Sequence, residues 1–325
     1  MTHDLAIEAE GLVKSYGKVQ VLQGVDIGVR KGSVFALLGP NGSGKTTTVR
    51  ILSTLTSLDG GLAKVAGFDV TREARKVRQR ISLTGQQAAI DKNQTGEENL
   101  FMMARLCGLS RTQAHERATY LLERFDLTEA GGRRLGTYSG GMARRLDLAA
   151  SLVGAPSIVF LDEPTTGLDP RSRQALWGVI ADLAAKGLTV FLTTQYLEEA
   201  DRLADRVALL DGGRVVAEGT PDELKQRVAG QRLDIELADR QAFEDVLALL
   251  GSRVVEKDPN LLTVGVPTDG SAGEVRALLD EVDLDRSRVA KFNVHSATLD
   301  DVFLALTGRT APSAEAERVK ETVGE

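Results

Sequence analysis

One stretch constrains this chain more than any other: Gly39-Pro40-Asn41-Gly42-Ser43-Gly44-Lys45-Thr46, which fits G-x-x-x-x-G-K-[ST]. It follows directly on the apolar run Val34-Phe35-Ala36-Leu37-Leu38 and leads into Thr46–Leu55, whose spacing is helical. A short apolar run bounded by glycine reads as a strand buried on both faces. A strand that turns sharply into a helix needs glycine where the backbone curls. That curl aims several N–H groups at one point, at a helix N-terminus that already favours negative charge. In this setting Lys45 supplies a cation to the outer phosphates of a nucleotide, and the Thr46 hydroxyl is placed to coordinate Mg²⁺.

The same alternation continues to about residue 220. Ser157–Leu161, Leu188–Thr193 and Arg206–Leu210 are further apolar strands, and Arg171–Lys186 has helical spacing with Gly187 as its stop. Buried strands separated by helices imply an α/β fold with a mainly parallel sheet. Glu97–Ala130 carries Leu, Met and Phe at three-to-four spacing, so it reads as a helical insertion, together with the helix after Ser139. A boundary follows Gly219, where Thr220-Pro221-Asp222-Glu223 is a capping box opening a short helix that should stop near Gly230. Beyond it the order is strand Arg232–Leu237, helix Arg240–Leu250, strand Val254–Lys257, strand Leu261–Val266, helix Ser271–Glu281 and strand Val289–His295. That βαββαβ order predicts a small ferredoxin-like α+β module, followed by a helix at Leu299–Leu306. The expected domains are 1–229, with its insertion at about 87–150, and 230–308, with a frayed polar tail at 309–325.

Composition narrows the function. The 325 residues carry 40 Lys and Arg against 46 Asp and Glu, a net charge of −6, which disfavours a protein that lives on nucleic-acid phosphates. A single cysteine, Cys107, excludes a disulfide framework and is expected to be a small apolar filler. The longest apolar stretch, Leu148–Leu161, is interrupted by Gly154 and Pro156 and is too short to span a bilayer. The N-terminus has early acids and no apolar run, so no signal peptide is expected and the chain reads as cytosolic. His3, His115 and His295 are too scattered for a metal site, Trp177 reads as packing, and the basic run Arg72–Arg80 reads as a solvated helix face.

Two further segments complete the chemistry. Ile158-Val159-Phe160-Leu161-Asp162-Glu163 ends an apolar strand in two carboxylates. Asp162 then stands at the carboxyl edge of the sheet, where it can hold Mg²⁺, and Glu163 is suited to polarise an attacking water. Tyr138-Ser139-Gly140-Gly141-Met142 enters a helix with a good N-cap, Ser139, and a glycine pair that exposes N–H groups to a second anion. With Pro164-Thr165-Thr166-Gly167-Leu168-Asp169, these segments resemble the nucleotide-binding subunit of an ABC transporter over roughly Leu5–Gly219.

The resemblance implies a P-loop NTPase fold and an ATPase that uses ATP and Mg²⁺. Its nucleotide contacts would be Gly39, Pro40, Asn41, Gly42, Ser43, Gly44, Lys45, Thr46 and Thr47, with Tyr16 stacking on adenine and Ser139, Gly140 and Gly141 serving a second copy. Gln86 would reach Mg²⁺ and water beside Thr46 and Asp162, and Gly167-Leu168-Asp169 would cross a dimer interface. Where the family usually has a histidine touching the γ-phosphate, this chain has Gln195. An amide there can donate a hydrogen bond but cannot carry a proton. The Y-S-G-G-M segment, Thr193-Thr194-Gln195-Tyr196 and the ending Leu299-Asp300-Asp301-Val302-Phe303-Leu304-Ala305-Leu306-Thr307-Gly308 are similar to the daunorubicin/doxorubicin resistance branch of exporters. The resemblance therefore implies a homodimer that works with a separate transmembrane permease, at the cytoplasmic face of the membrane, with no nucleic acid. Two other readings share the motifs: a soluble ABC ATPase that remodels nucleic-acid complexes, and an ATP-dependent binding protein that hydrolyses weakly.

Overall fold

The computed structural model describes residues 5–85, 90–228, 231–283, 287–295 and 298–307. Among these the chain divides into two compact units, one ending at Pro221 and the other beginning at Asp222. This division falls several residues before the 229/230 boundary expected from the sequence.

The first unit opens with an antiparallel hairpin, β1 (Leu5–Tyr16) and β2 (Val19–Arg30), that the sequence pattern did not disclose. Register shifts interrupt the pairing, and Gly11 and Gly24 take φ of +59° and +86°. A strict two-residue period therefore never lasts long enough to be read. Then come β3 (Val34–Leu38), α1 (Lys45–Leu52), β4 (Gly60–Val65) and β5 (Phe68–Asp69). Strands β4 and β5 join the hairpin in a four-stranded antiparallel sheet ordered β2-β1-β4-β5.

The basic run forms α2 (Ala74–Arg78), which buries Val77 and leaves Arg75, Lys76 and Arg78 exposed. After β6 (Ile81–Thr84) the helical insertion contributes α3 (Gly96–Leu106), α4 (Arg111–Arg124) and α5 (Gly140–Ser151). Capping boxes at Thr95 and Ser110 start the first two, and Gly108, with φ of +89°, breaks the chain between them. Cys107 ends α3 and is exposed. It is not the core filler expected, because as the C-cap residue it lies beyond the buried Ala104, in the exposed run Arg105–Gly108 where the chain leaves the helix. The α/β alternation resumes with β7 (Ile158–Asp162), α6 (Pro170–Ala185), β8 (Thr189–Thr194), α7 (Leu197–Leu203), β9 (Arg206–Asp211) and β10 (Arg214–Gly219).

These strands form a sheet ordered β10-β9-β3-β8-β7-β6, parallel throughout except at β10. Strands β3, β7 and β8 are buried at every residue, as a sheet covered on both faces requires. Phe191 sits between Phe35 and Phe160, with ring centroids 5.4 and 5.5 Å away, in a core shared with the antiparallel sheet and α1.

The second unit opens with α8 (Pro221–Val228), whose first residue closes the first unit, and continues with β11 (Gln231–Leu237), α9 (Arg240–Leu250), β12 (Glu256–Asp258), β13 (Thr263–Thr268), α10 (Ala272–Val282), β14 (Val289–His295) and α11 (Leu299–Thr307). Its antiparallel sheet is ordered β12-β13-β11-β14, the ferredoxin-like arrangement. The β12–β13 hairpin lies about two residues later than the sequence suggested. The Asp258 carboxylate accepts from the N–H groups of Asn260 and Leu261, and Leu262 takes φ of +52°. That turn claims residues that the apolar pattern alone assigned to a strand. Leu233, Ile235, Phe243, Val246, Val264 and Val266 form this unit's own core.

Replacing Phe191 by Ala is expected to destabilise the first unit by about 3–5 kcal/mol, the usual result of deleting a fully buried ring. Chemical denaturation followed by Trp177 fluorescence, which reports on that unit, measures it.

Candidate functional site

The parallel register gathers the site. Leu38 pairs with Thr194 across β3 and β8, and Asp162 pairs with Thr193 across β7 and β8. The three strands therefore deliver the glycine-rich loop, the two carboxylates and Gln195 to one edge of one sheet. Gly39 N–H donates to Thr194 O at 3.3 Å, tying the loop to the end of β8.

Glycine is required in the loop by contact as well as by conformation. A Cβ on Gly39 would lie 2.2 Å from Leu210 O and 2.7 Å from Ser43 Oγ. Gly44, with φ of +111°, would place one 2.6 Å from Leu22 Cδ2. The loop is thus seated between the hairpin and β9, and α1 starts from it at Lys45. Pro40, Asn41 and Gly42 form its outer rim; Ser43, Gly44 and Lys45 are buried; Thr46 and Thr47 are partly exposed in the first turn of α1.

Lys45 is 4% exposed. Its Nζ donates to Gly39 O at 2.8 Å and Pro40 O at 3.3 Å, and lies 3.3 Å from Glu163 Oε1. Burial pushes its pKa below the usual lysine range, while Glu163 and Asp162 pull the other way. A cation with two negative groups nearby is kept charged in a place where a phosphate can compete for it. Thr46 Oγ1 donates to Asp162 Oδ1 at 3.3 Å, and Thr193 Oγ1 donates to the same oxygen at 2.6 Å. A hydroxyl and a carboxylate are the hard oxygen donors that suit Mg²⁺, which completes its shell with phosphate oxygens and water. Among the described residues no cluster of three His, Cys, Asp or Glu could hold a metal alone. A cation here would have to arrive with its phosphates.

Glu163 takes φ of +50°, a left-handed conformation costly for a residue with a side chain. Its N–H is held by both Thr193 O, at 3.1 Å, and Thr193 Oγ1, at 3.2 Å. The strained turn aims its carboxylate back toward Lys45. Gln195 is buried directly after β8. Tyr16 ends β1 with a half-exposed ring, Lys14 Nζ lying 5.6 Å from its centroid. It is therefore not a core tyrosine, and β2 of its hairpin supplies Leu22 against Gly44. Gln86 lies outside the described residues.

Ser139, Gly140 and Gly141 form a separate group. The Ser139 hydroxyl accepts from Met142 N–H at 3.3 Å, capping α5. A Cβ on Gly141 would lie 2.3 Å from Ser172 Oγ, and one on Gly140 3.9 Å from Leu168. Asp169 caps α6, accepting from Arg171 N–H, Ser172 N–H and Ser172 Oγ, and the Ser172 hydrogen bond holds its pKa low. The S-G-G segment and Gly167-Leu168-Asp169 thus share one surface, made by the starts of α5 and α6.

Three polar residues with buried side chains escaped the sequence reading. Arg144 and Asp147 are an i,i+3 pair at 3.2 Å inside α5. Glu199, fully buried on α7, accepts from Trp177 Nε1 at 3.0 Å, so Trp177 does more than pack. The sequence held no signal for them, because a charged residue among charged neighbours on a helix reads as solvent-facing. Burial pushes the Glu199 carboxyl above the usual glutamate range against hydrogen bonds from Thr194, Trp177 and Thr165. The folded state then holds this proton more tightly than the unfolded chain. The associated stability is present at low pH and is lost as pH climbs through the raised pKa. Glu199→Gln keeps an acceptor for Trp177 and is expected to flatten that alkaline decline. Denaturation midpoints at about pH 5 and about pH 8 test this: the natural chain should lose more stability between them than the variant.

The ABC transporter family matches residues 22–166, and the C-terminal domain of DrrA1-3-like ATP-binding proteins matches residues 219–307. The daunorubicin resistance ATP-binding protein DrrA2 of Streptomyces coeruleorubidus is 49% identical over 96% of this chain and 98% of its own length. The doxorubicin resistance ATP-binding protein DrrA of Mycobacterium tuberculosis is 47% identical over 94% of each. A solved ATP-binding cassette of an ABC transporter in its ADP conformation superposes with a TM-score of 0.63 at 28% identity, covering 70% of this chain and 95% of that one. The chain belongs to the ATP-binding subunits of ABC transporters, in their daunorubicin/doxorubicin resistance branch.

Proposed function

We propose that this ABC ATPase binds Mg-ATP in the loop Gly39–Thr47, hydrolyses it with Glu163 as the group that orients water, and drives export of a small drug-like molecule through a separate permease. The observation that carries the reading is the convergence of Lys45, Thr46, Asp162 and Glu163 within 3.3 Å contacts at one sheet edge. Loop N–H groups and Lys45 take the phosphates. Thr46 and Asp162, with Gln86 as the resemblance implies, would hold Mg²⁺, whose charge offsets that of the β- and γ-phosphates. Phosphate in the loop draws Lys45 away from Glu163, which frees the carboxylate to accept a hydrogen bond from a water in line with the γ-phosphorus. The water's oxygen forms the new bond to phosphorus as the bond to the ADP oxygen breaks, and its proton passes toward Glu163. Gln195 donates its amide N–H to the γ-phosphate, and the Tyr16 ring covers the adenine.

One copy holds one loop and one S-G-G surface. Two copies related by a two-fold axis would set Ser139–Gly141 of each against the nucleotide of the other and enclose two ATP molecules. The first domain, 1–229, carries this cycle; the second, 230–308, is an accessory module at the dimer. No described helix is long and apolar enough to cross a membrane; in this reading the motion passes to a permease at the cytoplasmic face. The edge of β6, unpaired among the described residues, and the groove it forms with α3 and α5, lined by Leu83, Gly85, Met103 and Cys107, favour that face for the contact. The small-molecule substrate follows the relatives named for daunorubicin and doxorubicin resistance.

Glu163→Gln is expected to bind ATP normally, lose hydrolysis by orders of magnitude and accumulate as an ATP-bound dimer in size-exclusion chromatography. A variant that is saturated with ATP yet monomeric would refute the paired site. Gln195→Ala is expected to lose about 10²–10³ in steady-state ATPase rate, the usual effect of removing one positioned donor. An alanine form as fast as the natural protein would remove Gln195 from the reaction.

A further inference from the structure

Arg144 lies one turn inside α5 and makes contacts that the cycle above does not use. Its Nε donates to Pro164 O at 2.8 Å, and its Nη1 donates to Gly85 O at 2.9 Å and Asp147 Oδ2 at 3.2 Å. Gly85 immediately precedes Gln86, and Pro164 immediately follows Glu163. One guanidinium therefore pins the exits of β6 and β7 to the helix that begins with Ser139-Gly140-Gly141. The neighbouring Arg145 turns the other way, to Phe125 O at 3.1 Å and Asp126 at 3.4 Å, and only ties α5 to the end of α4.

Burying this charge is costly. The Arg144 and Asp147 side chains are 11% and 5% exposed. Desolvation pushes the guanidinium pKa down, and Asp147, Glu199 and Asp162 oppose it. A buried ion pair often stabilises a fold no better than apolar residues of the same volume would. What apolar residues cannot do is fix three acceptors on three segments at set angles, which the planar fork of arginine does.

We infer that Arg144 is a positioning residue that couples a copy's own hydrolytic loops to the surface it offers the other copy's nucleotide. The inference rests on the paired-site reading. When ATP moves the ends of β6 and β7 at Gly85 and Pro164, the fork carries α5 with them, so Ser139–Gly141 advances only from a loaded subunit. Lys45 and the loop bind ATP without this strut, so its loss falls on turnover and pairing rather than on affinity.

The test uses the full chain with Arg144→Gln and Arg144→Lys, the latter keeping the charge without the fork. ATP affinity is expected to stay within about threefold, while kcat falls by about 10²-fold in Arg144→Gln, the scale of a displacement of about 1 Å at a reacting centre. Arg144→Lys should resemble Arg144→Gln more than the natural protein, and it carries the test should Arg144→Gln fail to fold. Placed in a Glu163→Gln background, Arg144→Lys should still bind ATP but form the dimer at least tenfold more weakly. Natural kcat and undiminished pairing in the lysine form overturn the inference and leave the paired site standing. A loss carried wholly by ATP affinity also overturns it, since Arg144 would then only prop the nucleotide loop. If Glu163→Gln alone stays monomeric while loaded with ATP, the paired site has failed and the inference falls with it.

Discussion

The chemistry of this protein depends on the parallel register of β3, β8 and β7. Parallel pairing sends all three chains out of the sheet in the same direction, and the pairs Leu38–Thr194 and Asp162–Thr193 set their ends level. A one-residue slip of β7 would turn Asp162 to the other face of the sheet and break its 2.6 Å hydrogen bond from Thr193. That slip is opposed by the three packed phenylalanines, which occupy those same strands. Apolar packing in the core thus determines the alignment of a polar edge.

The polar edge is expensive to assemble, and each cost is met by a neighbour. Lys45 is buried, and its charge is shared among two carbonyls and Glu163. Glu163 holds a left-handed backbone, and Thr193 grips its N–H twice. In the proposed cycle a triphosphate rearranges both contacts: it replaces Glu163 as the partner of Lys45 and leaves the carboxylate free for water. Strain and burial are therefore concentrated where binding changes the partners.

Much of this was legible from residues alone. The buried strands, the helices of the insertion and the βαββαβ order all follow from periodicity, and the loop from its glycines. The hairpin β1–β2 was not, because bulges at glycine interrupt its alternation. The β12–β13 turn was misplaced because a single aspartate, Asp258, recruits two backbone N–H groups that apolar pattern does not weigh. Cys107 was misjudged for a related reason: a helical pattern gives the phase of a residue, but a helix's last turn can leave the body of the protein. Arg144 and Glu199 were invisible because a charged residue on a helix reads as solvent-facing unless its partners are known, and those partners lie far away in sequence.

The two groups of site residues also differ in what holds them. Lys45, Thr46, Asp162 and Glu163 are fixed by a continuous parallel sheet, whose deformation would cost many hydrogen bonds at once. Ser139–Gly141 rests on the insertion, whose helices meet the sheet through side chains and a few carbonyl contacts. A rigid half and a looser half suit the site proposed above, in which the sheet would keep the catalytic distances while the insertion moved. Arg144 lies at the join between them, and its hydrogen bonds to Gly85 O and Pro164 O set the first turns of α5 against the ends of β6 and β7.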